Sequence, residues 1–323
     1  MKISIAMATY NGEEYLEAQL KSFLGQTRQP DELVVTDDCS PDKTESIIRE
    51  FAKTAPFKVV FSRNEKNLGY GGNFNAALTK TTGDLVFLSD QDDVWFPEKI
   101  EHMAGIAERY PEALVVMNDA VLTDAELHEV GLTKIGQIRS AGYPMSSFVM
   151  GCCCAMRREL LDLCLPIPPG FKSHDGWLVR FADGLGARKV EDKALQYYRR
   201  HESNESQFLA NSTKRISRSQ AFFHAVSKAL RKDACERAQD EVDQLTLFVL
   251  GTQRAQESAS DKRRRQLQQL HRITESRIEV LKQRSRIRAK WFLPRAIAAT
   301  GLFVRGGYRN SNGLKAMLRD LAG

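Results

Sequence analysis

The first 120 residues alternate between short apolar runs and segments with helical periodicity, and this rhythm strongly limits the possible folds. Glycines, prolines and polar clusters separate the segments. A repeated strand–helix–strand order predicts a mainly parallel sheet with helices on both faces, the arrangement of an α/β domain. Strands are predicted at residues 3–9, 32–36, 58–61, 85–88 and 114–117, and helices at 13–24, 43–53, 72–79 and 97–110.

Acidic residues follow the fourth predicted strand directly, in the segment S-D-Q-D-D-V-W. Asp90, Asp92 and Asp93 therefore stand at the carboxyl end of a buried strand, where open α/β sheets bind ligands. Three carboxylates this close repel one another unless a cation lies between them. Hard oxygen ligands favour Mg²⁺ or Mn²⁺. A solvated acidic turn is the alternative for the segment taken alone, and the surrounding motifs favour the metal site.

Polar residues also follow the first two strands and precede the third helix. Carboxylates such as Asp37 and Asp38 can accept the imide N–H of uracil or thymine, or ribose hydroxyl groups. Thr9 and Asn11 could reach a nucleotide from the same edge, and the glycine-bearing loop from Asn67 could approach a phosphate. Each segment alone could equally be a simple turn or a helix cap.

Two later segments carry further polar groups. In H-D-G-W, at the start of a predicted helix over 174–182, Asp175 could act as a general base or could only cap the helix. In Y-R-R-H, at the end of a strand predicted over 194–198, Arg199 and His201 could neutralise a leaving pyrophosphate. The alternative for the second segment is a solvated basic strand end.

The order of these segments closely resembles that of glycosyltransferase family 2, over about residues 2–205. S-D-Q-D-D-V-W and H-D-G-W look most like the bacterial rhamnosyltransferases that build surface polysaccharides. The resemblance implies a GT-A fold and metal-dependent, inverting transfer of a sugar, with dTDP-L-rhamnose as the first donor to consider. The acceptor would be a saccharide or a lipid-linked saccharide. Another UDP- or dTDP-sugar, a sugar nucleotidyltransferase and a non-enzymatic membrane scaffold are the alternatives.

The resemblance also implies roles for individual residues. Asp175 takes the position of the general base, and Asp92 with Asp90 that of the Mg²⁺ or Mn²⁺ ligands. The residues implied to hold the donor are Thr9, Asn11, Asp37, Asp38, Asn67, Asp90, Arg199 and His201. Those implied to face the acceptor are Asp93, Trp95, Gly151, Cys152, His174 and Trp177. Two departures stand out: three consecutive cysteines at 152–154, and His174 where many relatives have Glu.

The last third of the chain differs from the rest in charge. Residues 210–323 carry 24 Lys and Arg against 10 Asp and Glu, while residues 1–209 carry 23 against 31. This asymmetry predicts a catalytic domain over 1–209 and a basic helical region over 210–323, with helices at about 222–250 and 258–290. The basic region could be a solvated face or could rest on anionic lipid, and no motif indicates nucleic acid. The lipid contacts would be the cations at 262–265, 284, 286, 288 and 290, with Trp291, Phe292 and Leu293 in the interface.

The chain carries no pattern of an exported or membrane-spanning protein. The first strand begins directly after Met1-Lys2, and no uninterrupted apolar run reaches the roughly 18 residues of a membrane span. The six cysteines lack zinc spacing, and we interpret them as free thiols in a reducing compartment. We therefore expect a cytoplasmic protein, peripheral on the inner face of the plasma membrane.

Overall fold

A computed structural model of the full chain describes residues 1–202, 204, 206, 208–230, 234–308 and 313–322. The chain separates into two compact units, Met1–Val226 and Ser227–Gly323. The division into a catalytic domain over 1–209 and a basic region over 210–323 stays a prediction, because it concerns function rather than compactness.

The first half of unit 1 is a parallel sheet built from the first four predicted strands. Their residues are apolar and mostly buried, so helices on both faces can cover them. Because the strands run the same way, the polar residues that follow them gather at one edge of the sheet. In spatial order the strands are β3 (Lys58–Arg63), β2 (Glu32–Asp37), β1 (Ile3–Thr9) and β4 (Leu85–Ser89).

The other half of the sheet is mixed. Beyond β4 the strands are β8 (Cys154–Arg157), β6 (Val115–Thr123), β9 (Arg188–Arg199) and β5 (Val94–Trp95), and β7 (Glu129–Thr133) pairs with β6. Strand β8 runs antiparallel between β4 and β6, while β6 and β9 are parallel. Six of the nine strands in the described residues share one direction, which confirms the mainly parallel sheet.

Seven helices connect the described strands of unit 1, five of them at predicted places, while Lys134–Ser140 and Arg158–Cys164 form two more where no helix was predicted. The first begins at Leu16 rather than residue 13, because the preceding residues form a turn on the carbonyl of Gly12. The helices are α1 (Leu16–Leu24), α2 (Thr44–Thr54), α3 (Gly69–Lys80), α4 (Lys99–Arg109), α5 (Lys134–Ser140), α6 (Arg158–Cys164) and α7 (His174–Gly184).

The core of unit 1 lies between β1, β4 and the helices that cover them. Phe87 and Phe23 contact the ring of Trp95, with ring centroids 5.7 and 4.9 Å apart. These rings belong to a larger buried cluster that also holds Ile100 and Met103 of α4. The turn between β4 and β5 is therefore attached to rigid packing on both sides.

The C-terminal residues form helices, as the basic region predicts. The predicted helix at 222–250 corresponds to two helices, and residues 231–233 between them lie outside the described residues. Val242, Leu245, Ile278 and Leu281 pack together between the two longest helices. No described helix is long and apolar enough to cross a membrane. The helices are α8 (Arg218–Leu230), which begins in unit 1, α9 (Ala234–Ser258), α10 (Asp261–Arg288), α11 (Phe292–Val304) and α12 (Leu314–Ala322).

A buried ion cluster connects α12 to α10 inside unit 2. The Asp320 side chain is fully buried and accepts hydrogen bonds from Arg284 Nε and Arg288 Nε, both at 2.7 Å. Burial raises the pKa of the Tyr308 hydroxyl, and the Asp320 carboxylate beside it raises that pKa further. One carboxylate is thus shared by two guanidinium groups, so the buried anion is fully paired.

Candidate active site

The acidic turn after β4 gathers two carboxylates and a thiol. One ligand atom each from Asp90, Asp93 and Cys152 lies within 4.8 Å of the others. Burial, followed by the charges of Asp92 and Asp175, raises the pKa of Asp90 to about 7. Burial, followed by Asp92 and Asp90, also raises the pKa of Asp93 well above its usual value. These carboxylates therefore repel one another, as expected for groups that await a cation.

A buried lysine supplies part of the missing positive charge. Lys99 Nζ donates to the carbonyl of Cys152 at 2.7 Å, contacts Gln196 Oε1 and lies 4.0 Å from the Trp95 ring centroid. Gln196 Nε2 in turn donates to Asp93 Oδ2 at 2.8 Å. Burial lowers the pKa of Lys99. One desolvated ammonium group does not balance three carboxylates, so the cluster retains the charge that a hard divalent cation requires.

Asp92 points away from its two neighbours, toward the end of β9. Its Oδ2 lies 2.8 Å from His201 Nε2 and accepts a hydrogen bond from Asn204 Nδ2 at 3.0 Å. Arg199 Nε donates to the Asp92 carbonyl at 2.8 Å. The Tyr15 ring contacts both Arg199 and His201: its centroid is 4.6 Å from the His201 ring centroid and 4.6 Å from Arg199 Cζ. The resemblance pairs Asp90 with Asp92 as metal ligands, whereas this geometry draws Asp90 toward Asp93.

Gln91, the residue between Asp90 and Asp92, fixes the turn to the end of β1. Its Oε1 accepts from the Tyr10 backbone N–H, and its Nε2 donates to the Tyr10 carbonyl, both at 2.9 Å. A Cβ on Gly12 would lie 2.6 Å from Gln91 Oε1, so a larger residue at this position would displace the Gln91 amide. The acidic turn and the end of the first strand therefore form one rigid edge.

Asp175 lies in the first turn of α7, whose N-cap is Ser173. Ser173 Oγ donates to Asp175 Oδ1 at 2.5 Å, and the Gly176 N–H donates to the same oxygen at 2.7 Å. Ser173 Oγ also accepts from the Gly176 N–H at 2.9 Å, which completes the cap. Both bonds hold one carboxylate oxygen, so the other can receive a proton.

Gly151 joins the two groups of carboxylates. A Cβ at this position would lie 3.4 Å from Asp175 Cβ and 3.5 Å from Leu88 Cδ1, next to the end of β4. Asp175 also contributes to the raised pKa of Asp90. The structure thus brings Asp175 and the acidic turn into the same part of unit 1, with a small residue between them.

His174 is buried beside this point, with both ring nitrogens lacking a hydrogen-bond partner among the described residues. Its ring stacks on Phe74 with centroids 4.0 Å apart, and its Nε2 would lie 3.0 Å from a Cβ on Gly151. Burial lowers the pKa of His174, while Asp175 opposes this shift. A neutral ring with free nitrogens next to Asp175 can bond a hydroxyl group there.

The residues predicted to hold the base and ribose lie together at the ends of β1 and β2. Asp37 is fully buried and accepts from Thr9 Oγ1 at 3.0 Å and Ser40 Oγ at 2.5 Å. Asp38 Oδ1 accepts from Asn64 Nδ2 at 2.9 Å and from the Leu68 N–H at 2.8 Å. Both acids therefore shape the loops around this edge with bonds inside the protein.

The exposed groups of this edge are Asn11 and Asn67. Asn11 has a positive φ of 49°, and its N–H donates to Ser40 Oγ at 3.0 Å. Asn67 Nδ2 donates to the Asp38 carbonyl at 3.3 Å, and its Oδ1 accepts from the Gly69 N–H at 3.0 Å. Both residues are exposed and bonded to the loop that follows β2, and their contact with a nucleoside stays a prediction.

Both tryptophans predicted to face an acceptor have buried side chains in unit 1. The Trp95 side chain packs in the core around Phe87, and the residue is 3% exposed. Trp177 is fully buried, and its Nε1 donates to the Cys164 carbonyl at 2.8 Å. An acceptor role for Trp95 and Trp177 stays a prediction.

Sequence reasoning missed several residues of this site. Four residues stand outside the motifs: Gln196 and Asn204 bond Asp93 and Asp92, Lys99 bonds the Cys152 carbonyl and Tyr15 contacts His201 and Arg199. A lysine at the first position of an amphipathic helix reads as a solvated residue, and only its complete burial shows its role. Gln91 gave a local signal, since it separates the two acids of D-Q-D.

Known proteins resemble this chain in sequence. Residues 4–164 match the family model described as glycosyl transferase family 2. An uncharacterised glycosyltransferase of Nostoc sp. is 32% identical over 232 residues, which are 66% of this chain and 69% of that protein. The dTDP-rhamnosyl transferase RfbG of Shigella flexneri is 26% identical over 224 residues, 62% of this chain and 73% of that protein. The putative glycosyltransferase EpsE of Bacillus subtilis is 29% identical over 123 residues, 38% of this chain and 44% of that protein.

Solved structures resemble the chain in fold. Staphylococcus aureus TarS 1-349 in complex with UDP superposes with a TM-score of 0.54 at 20% identity, covering 90% of this chain and 93% of that one. The mannosyltransferase PcManGT of Pyrobaculum calidifontis, in complex with GDP-Man and Mn²⁺, gives 0.52 at 15% identity, with 99% and 86% covered. These likenesses show the GT-A fold. Together with the family model and the Nostoc relative, they show that the chain belongs to glycosyltransferase family 2.

Proposed function

We propose that the chain is an inverting, metal-dependent glycosyltransferase that moves L-rhamnose from dTDP-L-rhamnose to a hydroxyl group of a saccharide or lipid-linked saccharide. One observation carries this proposal: a Cβ on Gly151 would lie 3.4 Å from Asp175 Cβ, and the ligand atom of the next residue, Cys152, lies within 4.8 Å of those of Asp90 and Asp93. A carboxylate cluster that can bind a metal therefore lies near a separate carboxylate that can take a proton. Sugar transfer from a nucleoside diphosphate needs both functions.

Asp175 acts as the general base. It takes the proton of the acceptor hydroxyl while the hydroxyl oxygen forms a bond to the anomeric carbon of the donor. The bond between that carbon and the diphosphate oxygen breaks, and its electron pair leaves with the nucleoside diphosphate. Ser173 and Gly176 hold Oδ1 of Asp175, so Oδ2 receives the proton. Attack opposite the leaving group inverts the anomeric carbon, and no covalent sugar–enzyme intermediate is required.

The donor set of the acidic turn fits Mg²⁺ or Mn²⁺. Asp90 and Asp92 would hold the ion, which requires the Asp92 carboxylate to leave His201 and Asn204, because Asp93 and Cys152 are the potential ligands that lie next to Asp90. When bound, such an ion stabilises the charge that develops on the departing diphosphate. Arg199 and His201, at the end of β9, contact Asp92 and would meet the diphosphate from that side.

The nucleoside would lie at the ends of β1 and β2. Asn11 and Asn67 offer exposed polar groups, while Thr9, Asp37 and Asp38 fix the loops and would contact the base and ribose as those loops adjust. The similarity to the RfbG rhamnosyl transferase of Shigella flexneri supports dTDP-L-rhamnose as the donor. A different UDP- or dTDP-sugar is the alternative that leaves the mechanism unchanged.

The acceptor would approach the side that holds Gly151, Cys152 and His174. Gly151 permits a close approach to Asp175, and the buried ring of His174 offers free nitrogens to a hydroxyl group. Asp93 lies deeper, bonded to Gln196, and would act on the shape and charge of the site. We place the enzyme in cell-surface polysaccharide synthesis, in the cytoplasm at the inner face of the plasma membrane, with residues 1–209 as the catalytic domain.

A thermal-shift panel of dTDP-, UDP- and GDP-sugars, with and without Mn²⁺, tests the donor. We expect dTDP-L-rhamnose with Mn²⁺ to stabilise the protein most, because a ligand that binds only the folded state raises the unfolding temperature. Stabilisation by a GDP-sugar, or by none of the sugars, would overturn the donor assignment. Slow metal-dependent release of nucleoside diphosphate supports the transferase. Release of pyrophosphate indicates a nucleotidyltransferase, and no release at all indicates a scaffold.

A further inference from the structure

Helix α11 has one buried face and one exposed apolar face. Ala299 and Leu302 are buried and pack with Ile287, Tyr308 and Ala316. On the opposite side Leu293, Ile297 and Val304 are 58, 76 and 79% exposed. These three residues are four and seven positions apart, so they align along one stripe of the helix.

The exposed stripe continues at the start of the helix. Trp291 and Phe292 are 70 and 65% exposed, next to Leu293. Contiguous apolar surface of this kind marks an interaction site rather than an ordinary solvated face. Trp at the end of such a stripe is typical of a membrane interface, because its ring is apolar and its N–H is polar.

The charge around α11 has one sign. Residues 283–308 contain six Lys and Arg and no Asp or Glu. Arg284 and Arg288 are bound to Asp320, so they are not available to a partner. The other four have no acidic partner among the described residues: Arg286, Lys290, Arg295 and Arg305.

The basic run at 262–265 contributes less than the sequence predicts. Arg264 donates to the carbonyls of Gln256 and Ala259 and pairs with Asp261 at 3.0 Å, so it closes the turn between α9 and α10. Part of the basic charge of unit 2 is therefore structural. Near α11, by contrast, the side chains of Arg286 and Lys290 have no bonded partner among the described residues, while Arg295 and Arg305 donate to main-chain carbonyls.

We propose that α11 is the element by which the chain lies on an anionic lipid surface, with its exposed stripe in the headgroup region. Apolar side chains flanked by unpaired cations match the two components of such a surface. A second copy of the chain fits less well, because a two-fold contact would place the same cations opposite one another. The choice of membrane rests on the proposed function, but lipid binding itself does not require sugar transfer.

Co-sedimentation of the full chain with vesicles tests the apolar stripe. We expect binding to vesicles of phosphatidylcholine with phosphatidylglycerol and little binding to phosphatidylcholine alone. Ile297→Gln with Val304→Gln should weaken partitioning about 10-fold or more, since two apolar side chains no longer leave water. The matched control is Leu250→Gln with Ile273→Gln, which changes two side chains of unit 2 that are 57 and 54% exposed but lie outside the stripe.

A second pair of variants tests the charge. Arg286→Gln with Lys290→Gln should also weaken partitioning about 10-fold, and added salt should reduce the difference from wild type. Lys21→Gln with Lys53→Gln removes the same net charge from exposed side chains of unit 1 and should change binding little.

Three results would overturn the inference. They are equal binding to both kinds of vesicle or to neither, equal effects of the α11 variants and their controls, and self-association that the Ile297→Gln, Val304→Gln variant abolishes. The last result, read by sedimentation velocity without lipid, would assign the stripe to a second copy. Donor stabilisation in the thermal-shift panel is measured without vesicles, so the proposed function and the lipid contact can fail separately.

Discussion

The two units bury charge in opposite ways. In unit 2, Asp320 is enclosed by Arg284 and Arg288, so each buried charge has a partner of the other sign. In unit 1, three carboxylates follow β4, and buried Lys99 bonds the Cys152 carbonyl rather than any of them. The Asp320 cluster holds helix α12 in place. The cluster after β4 lacks enough positive charge, and buried carboxylates without a counter-charge indicate a ligand site rather than a structural contact.

The largest effect is expected at Asp175, whose Oδ2 is kept for a proton. Asp175→Ala should lower kcat by about 10²- to 10⁴-fold, because general-base catalysis is lost, and should leave donor binding intact. Initial rates of nucleoside diphosphate release in the presence of acceptor, with donor affinity from thermal shift, measure both quantities. Asp183→Ala is the control, since it removes an acid of the same helix that pairs with Arg188 at 2.8 Å. Equal losses in the two variants would contradict the assignment.

Breaking the balanced cluster should cost stability. Asp320→Asn leaves two largely buried guanidinium groups without a counter-ion, and we expect the free energy of unfolding to fall by about 3 kcal/mol. Denaturant titration followed by helical circular dichroism measures it. Glu241→Gln breaks an exposed pair with Arg277 in the same unit and should cost below about 1 kcal/mol. A small effect of Asp320→Asn would mean that the cluster does not hold α12.

Lys134 is a buried cation of unit 1 whose described contacts are neutral: the Asn211 side chain and the Phe208 ring. Burial lowers its pKa from 10.5 to about 8. Between pH 8 and 10.5 the unfolded chain therefore binds more protons at this residue than the folded one, so rising pH stabilises the fold. We expect Lys134→Met to remove up to about 3 kcal/mol of this pH-dependent gain, measured by urea titrations across that range. Parallel curves for the two proteins would contradict it.

The smallest effect is expected from relieving repulsion in the acidic turn. Asp90→Asn should raise the metal-free free energy of unfolding by about 1 kcal/mol, because one of the mutually repelling charges disappears. The same variant should lose stabilisation by Mn²⁺. Thermal denaturation with and without Mn²⁺ measures both. Destabilisation in the absence of metal would show that unit 1 buries its charge in the same balanced way as unit 2.

Most of the fold could be predicted from local sequence patterns. The apolar runs that became β1 to β4 end in polar residues, and parallel pairing follows from the helices between them. Strand β9 was predicted only over 194–198 but spans Arg188–Arg199, because its first half alternates charged residues and lacks an apolar signal. The antiparallel position of β8 depends on contacts distant in sequence, which no local pattern contains.

Site residues that belong to a sequence motif could be predicted, whereas residues whose role depends on burial could not. Asp90, Asp92, Asp93 and Asp175 stand out as acids at the ends of strands and at a helix start, and the structure brings them together. The sequence could not distinguish the arginines of the basic region that pair with Asp320 from those without an acidic partner. Arg284 differs from Arg286 only by the side of α10 on which it lies, and that side faces Asp320.

The contacts of Gln91, between the two acids of D-Q-D, limit which substitutions nearby leave the acidic turn in place. The Gln91 amide makes two hydrogen bonds to the Tyr10 backbone, and Gly12 leaves space for it. The residue between the two acids of the motif therefore attaches the turn to the end of β1. A change at position 12 would therefore act at a distance, shifting the two acids without touching either. Attempts to alter metal or donor preference should therefore change residues 12 and 91 together.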